Sequence, residues 1–484
     1  MANILAKILR NNNFLSLANN GLVAVLGFFS FILLVRILPT NDFGEWVLFI
    51  TTLNFIDMLR FGITRTAIVR FLSGADTIQG KQLIGSNYAI NLTSTLLLII
   101  LVLVVNYYAH EAIADSGFSL FFTWFPVVAL ISLPFNNALS VLQARLRFDL
   151  ILLLRMFNVG SFMIYLVLNY YFFHSGLLEV TWYYIITNLA TSMIASIFNW
   201  DGIRYIGKAS SKTNRIILDF GKYTSGTLIG SNLLKSADTF IIGLSPFLGT
   251  TGVALYSIPL KLTEIIEIPI RSFAMTAFPT MSKASIEGNK EWVKHIFYRN
   301  AGGMFLMMVP VMLFCFIFAK EFVTILGGPE YTQTSGIFQI FCLYGLLLPI
   351  DRFIGVALDS VNRPNQNFFK VVYMTLANII GDSIVVFGLT FIILMSSVVT
   401  LLLSGVYESS VLVLVSTTFT TITILELVAI ITILFTIIGI MVGFYYLNQE
   451  MKIRYRMILI EGFLFYWEFF KRLIHPGDKQ KLYF

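Results

Sequence analysis

The sequence predicts an all-α integral membrane protein, with about twelve transmembrane helices in two pseudo-symmetric six-helix bundles and an amphipathic helix at the C-terminal end. Three observations predict it. Of 484 residues, 57% are hydrophobic and only 12% charged, and the mean hydropathy of +0.81 lies outside the usage of a soluble domain. Apolar runs long enough to cross a bilayer core of about 30 Å recur along nearly the whole chain. A polar pattern in the second run also returns 210 residues later, in the eighth. A transmembrane β-barrel would instead show segments of about ten residues with alternating polarity, and the continuous apolar runs exclude it.

The first run, 14–38, follows Lys7 and Arg10 and is too long for a signal-peptide core, so it reads as a retained helix. The runs that follow place spans at 44–70, 83–108, 118–143, 150–173, 180–200, 223–244, 252–282, 300–319, 333–358, 369–395 and 425–447. An even number puts both termini on one side. Most of the 33 Lys and Arg fall in alternate connections and at the two ends, including Arg145 and Arg147, Arg204 to Lys222, Lys283 to Arg299, and Arg363 and Lys370. Basic loops stay in the cytoplasm, so both termini are expected there. The Val-, Ser- and Thr-rich stretch Ser396 to Thr423 reads as an external hairpin or a re-entrant piece. Arg454 to Ile474 mixes Met457-Ile-Leu-Ile460 and Phe463-Leu-Phe-Tyr-Trp467 with Glu461, Glu468, Lys471 and Arg472, which suits a helix lying on the cytoplasmic surface. The expected division is 1–210 for the N-terminal lobe, 211–450 for the C-terminal lobe and 451–484 for the amphipathic tail.

Sliding the chain by 210 residues lays Asp57 on Glu267, an acid on an acid inside two apolar spans. Arg60 follows the first by three residues and Arg271 the second by four, so each pair shares a helix face. A duplicated six-helix unit accounts for this, and because six is even the repeat is parallel.

Arg60, Lys235, Arg271 and Arg352 lie deep in their spans, about 20 Å from an end at 1.5 Å per residue. A charge at that depth costs about 3 kcal/mol, so it belongs beside a watery cavity or a partner. Arg65 and Arg155 sit nearer the surface and can snorkel, as can Lys320. The bland reading of the deep charges is mutual neutralisation: Asp57 with Arg60, Lys235 with Asp238, Glu264 and Glu267 with Lys261 and Arg271, Asp351 with Arg352. The sharper one is a cationic cavity between the lobes, lined by Arg60, Arg271, Lys235 and Arg352 with Arg36 at a span end, and suited to a phosphorylated ligand. The acids Asp57, Glu267, Glu264, Asp238 and Asp351 are then charge partners or ion-coupling groups. Asn19, Asn20, Asn232, Tyr223 and Tyr256 are candidate sugar contacts, and helix packing explains them equally well.

Asn19-Asn-Gly21, Arg36-Ile-Leu-Pro39 with Phe43-Gly44, Phe61-Gly62 with Arg70-Phe71, Gln143-Ala-Arg-Leu-Arg-Phe148, and Ser236-Ala-Asp238 with Gly252 and Tyr256 together resemble the polysaccharide flippases, the Wzx-like branch of the MOP (multidrug, oligosaccharidyl-lipid, polysaccharide) exporters. The resemblance covers residues 1 to about 450. It implies two six-helix bundles, alternating access, and movement of an undecaprenyl-diphosphate-linked oligosaccharide, as in O-antigen or capsule assembly, from the inner to the outer leaflet of the bacterial cytoplasmic membrane. The implied partners are that lipid-linked oligosaccharide, membrane lipids and polysaccharide polymerase or assembly proteins, with no nucleic acid.

No Walker-type GxxxxGK[ST], no His/Cys metal spacing and no Ser/His/Asp constellation is present, and the four histidines are scattered. The expected protein is a transporter rather than an enzyme, with no catalytic residue, cofactor or metal. Cys315 and Cys342 fall inside apolar runs and read as small buried hydrophobes. The competing function is a cation-coupled multidrug exporter of the MATE type, whose site would be apolar and net acidic.

Overall fold

A computed structural model describes residues 12–72, 75–114, 116–389 and 410–474, without the side chains of 12–20, 222–227, 389, 410–420, 469–470 and 472–474. The described chain is helical throughout. The long helices are α1 (Asn12–Ile37), α2 (Thr40–Leu72), α3 (Thr77–Tyr108), α4 (Ser119–Ile131), α5 (Leu133–Ala144), α6 (Phe148–Leu168) and α7 (Leu177–Ile197), then α8 (Ser211–Gly243), α9 (Gly249–Ile286), α10 (Lys290–Ile317), α11 (Ser335–Ser360), α12 (Pro364–Ser383), α13 (Ser410–Met451) and α14 (Arg456–Ile474). Helices follow from the physics of lipid, where every backbone N–H and C=O must find its partner within the segment.

Among the described residues, seven helices are long and apolar enough to cross a membrane, or eight if α4 and α5 form one bent span. This makes the chain a multi-pass membrane protein; the twelve expected spans go beyond that count. Two of the helices outside it, α8 and α9, are those that carry Lys235, Asp238, Lys261, Glu264, Glu267 and Arg271.

The chain divides into two compact units, 1–232 with 249–254 and 233–248 with 255–484. In the first, α6 packs along α1, and α2 packs on α3, α4 and α5. In the second, α11 packs against both α10 and α13, and α13 against α12.

The span read at 118–143 as one piece is two helices bent by 48°. Pro134, in the first turn of α5, has no N–H to give the α4 carbonyl four residues back, so the ladder breaks around Ser132. At the other end of the chain, α14 packs on α10. A Cβ on Gly302 would run into the Ile458 carbonyl oxygen, and one on Gly462 into the Gly302 backbone, so only glycine at both positions permits this crossing. Arg299 clamps the same joint through Glu468 at 2.6 Å. Of the segment 396–423, residues 396–409 lie outside the described residues, and from Ser410 the chain is already α13. Cys315 and Cys342 are buried and unpaired.

Candidate functional site

In α2 the acid–base pair forms as the spacing dictates. Arg60 Nη2 donates to Asp57 Oδ1 at 2.5 Å. Arg60 is only 1% exposed, and its remaining donors are largely taken within the same unit: Nη1 reaches the Ala129 carbonyl at 2.7 Å and Thr95 Oγ1 at 3.3 Å, and Nη2 also reaches Ser132 Oγ at 3.2 Å. Its guanidinium lies over the Phe61 ring, 4.7 Å from the centroid. Ala129 belongs to the last turn of α4, where carbonyls lack helical donors. Arg60 therefore supplies a donor at the break, while Asp57 keeps 31% of its side chain exposed.

One turn further along α2 begins a buried amide ladder. Thr64 Oγ1 donates to Asn91 Oδ1 at 2.7 Å, and Asn137 Oδ1 accepts from both Asn91 at 2.7 Å and Asn87 at 2.8 Å. These residues were missed in the sequence, although Asn87 and Asn91 stand four apart in an otherwise apolar run, which is the signal of a buried polar face.

In α9 the corresponding pair sits in different surroundings. Arg271 meets Glu267 at 3.3 Å with 41% of its side chain exposed, and Lys261 meets Glu264 at 2.8 Å. Arg271 Nη2 also touches the Glu264 carbonyl at 3.3 Å.

Two other pairings differ from the sequence reading. Asp351 pairs with Lys370 of α12 at 2.6 Å rather than with Arg352, because adjacent helical residues point in different directions. Lys370 is accordingly buried within its helix instead of standing in a loop. Asp238 does not pair with Lys235, although the two are one turn apart. It is buried and accepts from Tyr256 Oη at 2.7 Å, Asn378 Nδ2 at 2.8 Å and Thr432 Oγ1 at 3.3 Å. The Asn378 amide also donates to Asp382 Oδ2 at 3.2 Å, so one side chain bridges two buried carboxylates. Asp382 was missed, a lone acid in the middle of the apolar run 369–395.

Lys235, Arg352 and Arg36 are exposed, Asn232 folds its amide onto the Leu228 carbonyl at 3.0 Å, and Tyr256 is buried against Asp238. The side chains of Asn19, Asn20 and Tyr223 lie outside the described residues.

Residues 33–336, well over half of the chain, match the sequence profile of a family described as polysaccharide biosynthesis protein. The chain is a member of this polysaccharide biosynthesis family. It is 25% identical over 179 residues to a probable low-salt glycan biosynthesis flippase, Agl15, of Haloferax volcanii, a match that spans 37% of this chain and 38% of that relative. The solved lipid II flippase MurJ, in an inward closed conformation, superposes with a TM-score of 0.67 at 15% identity, over 97% of this chain and 94% of its own. A multidrug resistance MATE family transporter of the MOP superfamily, inward-facing, gives 0.67 at 13% identity over 88% and 95%. At these identities the structures establish the fold alone, one shared with both. The polysaccharide biosynthesis protein thus carries its buried carboxylates and arginines on the fold it shares with these two structures.

Proposed function

We infer that this protein is a flippase, moving a lipid-linked oligosaccharide across the membrane by alternating access. The observation that carries the reading is membership of the polysaccharide biosynthesis family by a chain folded as a MOP transporter over nearly its whole length. The cargo best suited to its cations is an oligosaccharide on a polyprenyl diphosphate such as undecaprenyl diphosphate, carried from the inner to the outer leaflet of the cytoplasmic membrane, with both termini cytoplasmic. Arg271, Lys235, Arg352 and Arg36 are the groups proposed to draw the phosphates. Their exposure supports the role, since each presents part of its charge where a ligand can reach it. Arg60 is proposed to hold Asp57 toward the substrate path, and Asn19, Asn20, Asn232 and Tyr223 to serve the sugars.

Energy is proposed to enter at Asp238 and Asp382. Two carboxylates joined by one amide in a buried site repel each other, and a proton or a small monovalent cation removes the repulsion. The membrane potential adds to this, because moving two negative charges outward gains about 5 kcal/mol per 100 mV.

Depleting the protein in its host and measuring the leaflet distribution of lipid-linked oligosaccharide tests the reading. The prediction is accumulation on the cytoplasmic leaflet. An unchanged distribution combined with new sensitivity to cationic drugs would overturn it in favour of a multidrug exporter, a reading for which the MATE likeness supplies only the fold.

A further inference from the structure

The sequence places α14 at a membrane surface, and the structure gives it an orientation. As α14 advances from Ile458 to Glu468, its contacts do not advance along α10. Ile458 and Gly462 both abut Gly302, Phe465 lies against Gly303, and Tyr466 Oη donates to the Gly303 carbonyl at 3.1 Å. Glu461 and Glu468 turn back to His295, at 3.4 Å, and to Arg299, at 2.6 Å. Helices lying side by side would progress in step, so α14 crosses α10 steeply.

The crossing falls at a boundary within α10, which is long and apolar enough to span a membrane. Up to Arg299 that helix carries Lys290, Glu291, Lys294 and His295, and from Asn300 to Ile317 it carries no charge. The edge of α14 that bears Glu461 and Glu468 faces the charged part, and the Tyr466 edge faces the apolar part. In this orientation α14 lies across the level where α10 passes from head groups to hydrocarbon.

The side of α14 turned away from α10 is apolar in the middle and basic at the ends. Leu459, Ile460, Phe463, Leu464 and Trp467 line one groove, and Phe463 and Trp467 are 72% and 68% exposed. Arg456 and Lys471, both exposed, fall on the same face, because 456, 460, 463, 467 and 471 are separated by single turns. Lys452 and Arg454 add exposed charge just before the helix. The two acids of α14 are engaged by His295 and Arg299, on its other side.

We propose that this outer face of α14 is a binding surface for anionic lipids. Phe463 and Trp467 seat among the acyl chains, and Arg456 and Lys471, whose long stems let their heads reach the surface, hold negatively charged head groups. The apolar stripe alone would suit any lipid; the cations that bracket it favour an anionic one. The proposal goes beyond the flippase reading and stands whatever cargo the protein carries.

The test attaches a bimane fluorophore to Phe463→Cys in the full chain, with the buried Cys315 and Cys342 replaced by Ala, and places the protein in phosphatidylcholine nanodiscs. Quenching is measured with an equal fraction of either phosphatidylglycerol or phosphatidylcholine that carries a nitroxide on its acyl chain. The anionic lipid is expected to quench about threefold more strongly. Adding Arg456→Gln and Lys471→Gln should bring the two lipids level while quenching by phosphatidylcholine persists, and Arg456→Lys with Lys471→Arg should keep the preference. Quenching by phosphatidylcholine in every variant reports that α14 is still seated in the bilayer, so a lost preference there is not misfolding. Equal quenching by both lipids in the protein with Arg456 and Lys471 intact would overturn the proposal. Quenching by neither lipid would also overturn it, marking the face as covered by a second copy of the chain or another protein. Neither result would touch the flippase reading, which is tested by the leaflet distribution of the cargo.

Discussion

Arg60 Nη1 donates to the Ala129 carbonyl at 2.7 Å, which ties the middle of α2 to the point where α4 gives way to α5. The contact explains how a guanidinium can be sealed inside an apolar unit: it satisfies backbone that the α4–α5 break leaves open, and Asp57 balances its charge. Replacing Arg60 by Met is expected to lower stability by about 3 kcal/mol, because Asp57 and the Ala129 carbonyl both lose their partner. The double variant Asp57→Leu with Arg60→Met is expected to recover part of that loss. Thermal unfolding in detergent reads both, and an Arg60→Met protein as stable as wild type would show that the break needs no such donor.

Asn137 offers a second, independent check on the first unit. Its Oδ1 accepts two amide hydrogens, so Asn137→Ala strands the Asn87 and Asn91 donors in a buried site and is expected to cost about 2 to 4 kcal/mol. Asn137→Asp keeps the acceptor and is expected to be much the milder change by the same melting measurement.

The joint between α10 and α14 depends on the absence of side chains at Gly302 and Gly462. Gly302→Val pushes into the Ile458 carbonyl, so α14 is expected to leave α10 without unfolding the rest of the second unit. Limited proteolysis at the residues preceding α14 measures the release. Cleavage should accelerate for Gly302→Val and remain at the wild-type rate for Gly160→Ala in α6, where an added Cβ meets nothing within 4 Å.

Asp238 and Asp382 make a prediction about coupling. Asp382→Asn removes the repulsion between the two carboxylates, so thermal stability without added cation is expected to hold or rise. Transport by that variant should lose its dependence on the ion gradient that drives the wild type. A variant whose transport follows the same gradient as the wild type would exclude the pair from coupling.

Much of the fold was legible in composition and run length, since lipid leaves a chain few options beyond helices. The pairs Asp57–Arg60 and Glu267–Arg271 were legible too, because helical spacing alone decides whether three- or four-residue neighbours meet. What spacing cannot convey is environment. The same acid–base motif is sealed at Arg60 and open at Arg271, and the difference arises from contacts such as Ala129 and Thr95, far off in sequence. Asp351 and Lys370 meet across nineteen positions for the same reason. Asp382 and Asn137 went unread because single polar residues in apolar runs carry no periodic signal until the helices are packed, and the four-residue spacing of Asn87 and Asn91 marks a polar face without naming its partner.

The central claim is that exposed cations within the apolar spans select a phosphorylated lipid head. Its most direct test is the rate at which purified protein in liposomes moves an oligosaccharide on polyprenyl diphosphate, against the same oligosaccharide on uncharged polyprenol, for wild type and Arg271→Gln. The account predicts movement of the diphosphate lipid alone and a roughly tenfold slower rate for Arg271→Gln. Equal movement of the charged and uncharged lipids, or an Arg271→Gln rate equal to wild type, would contradict it.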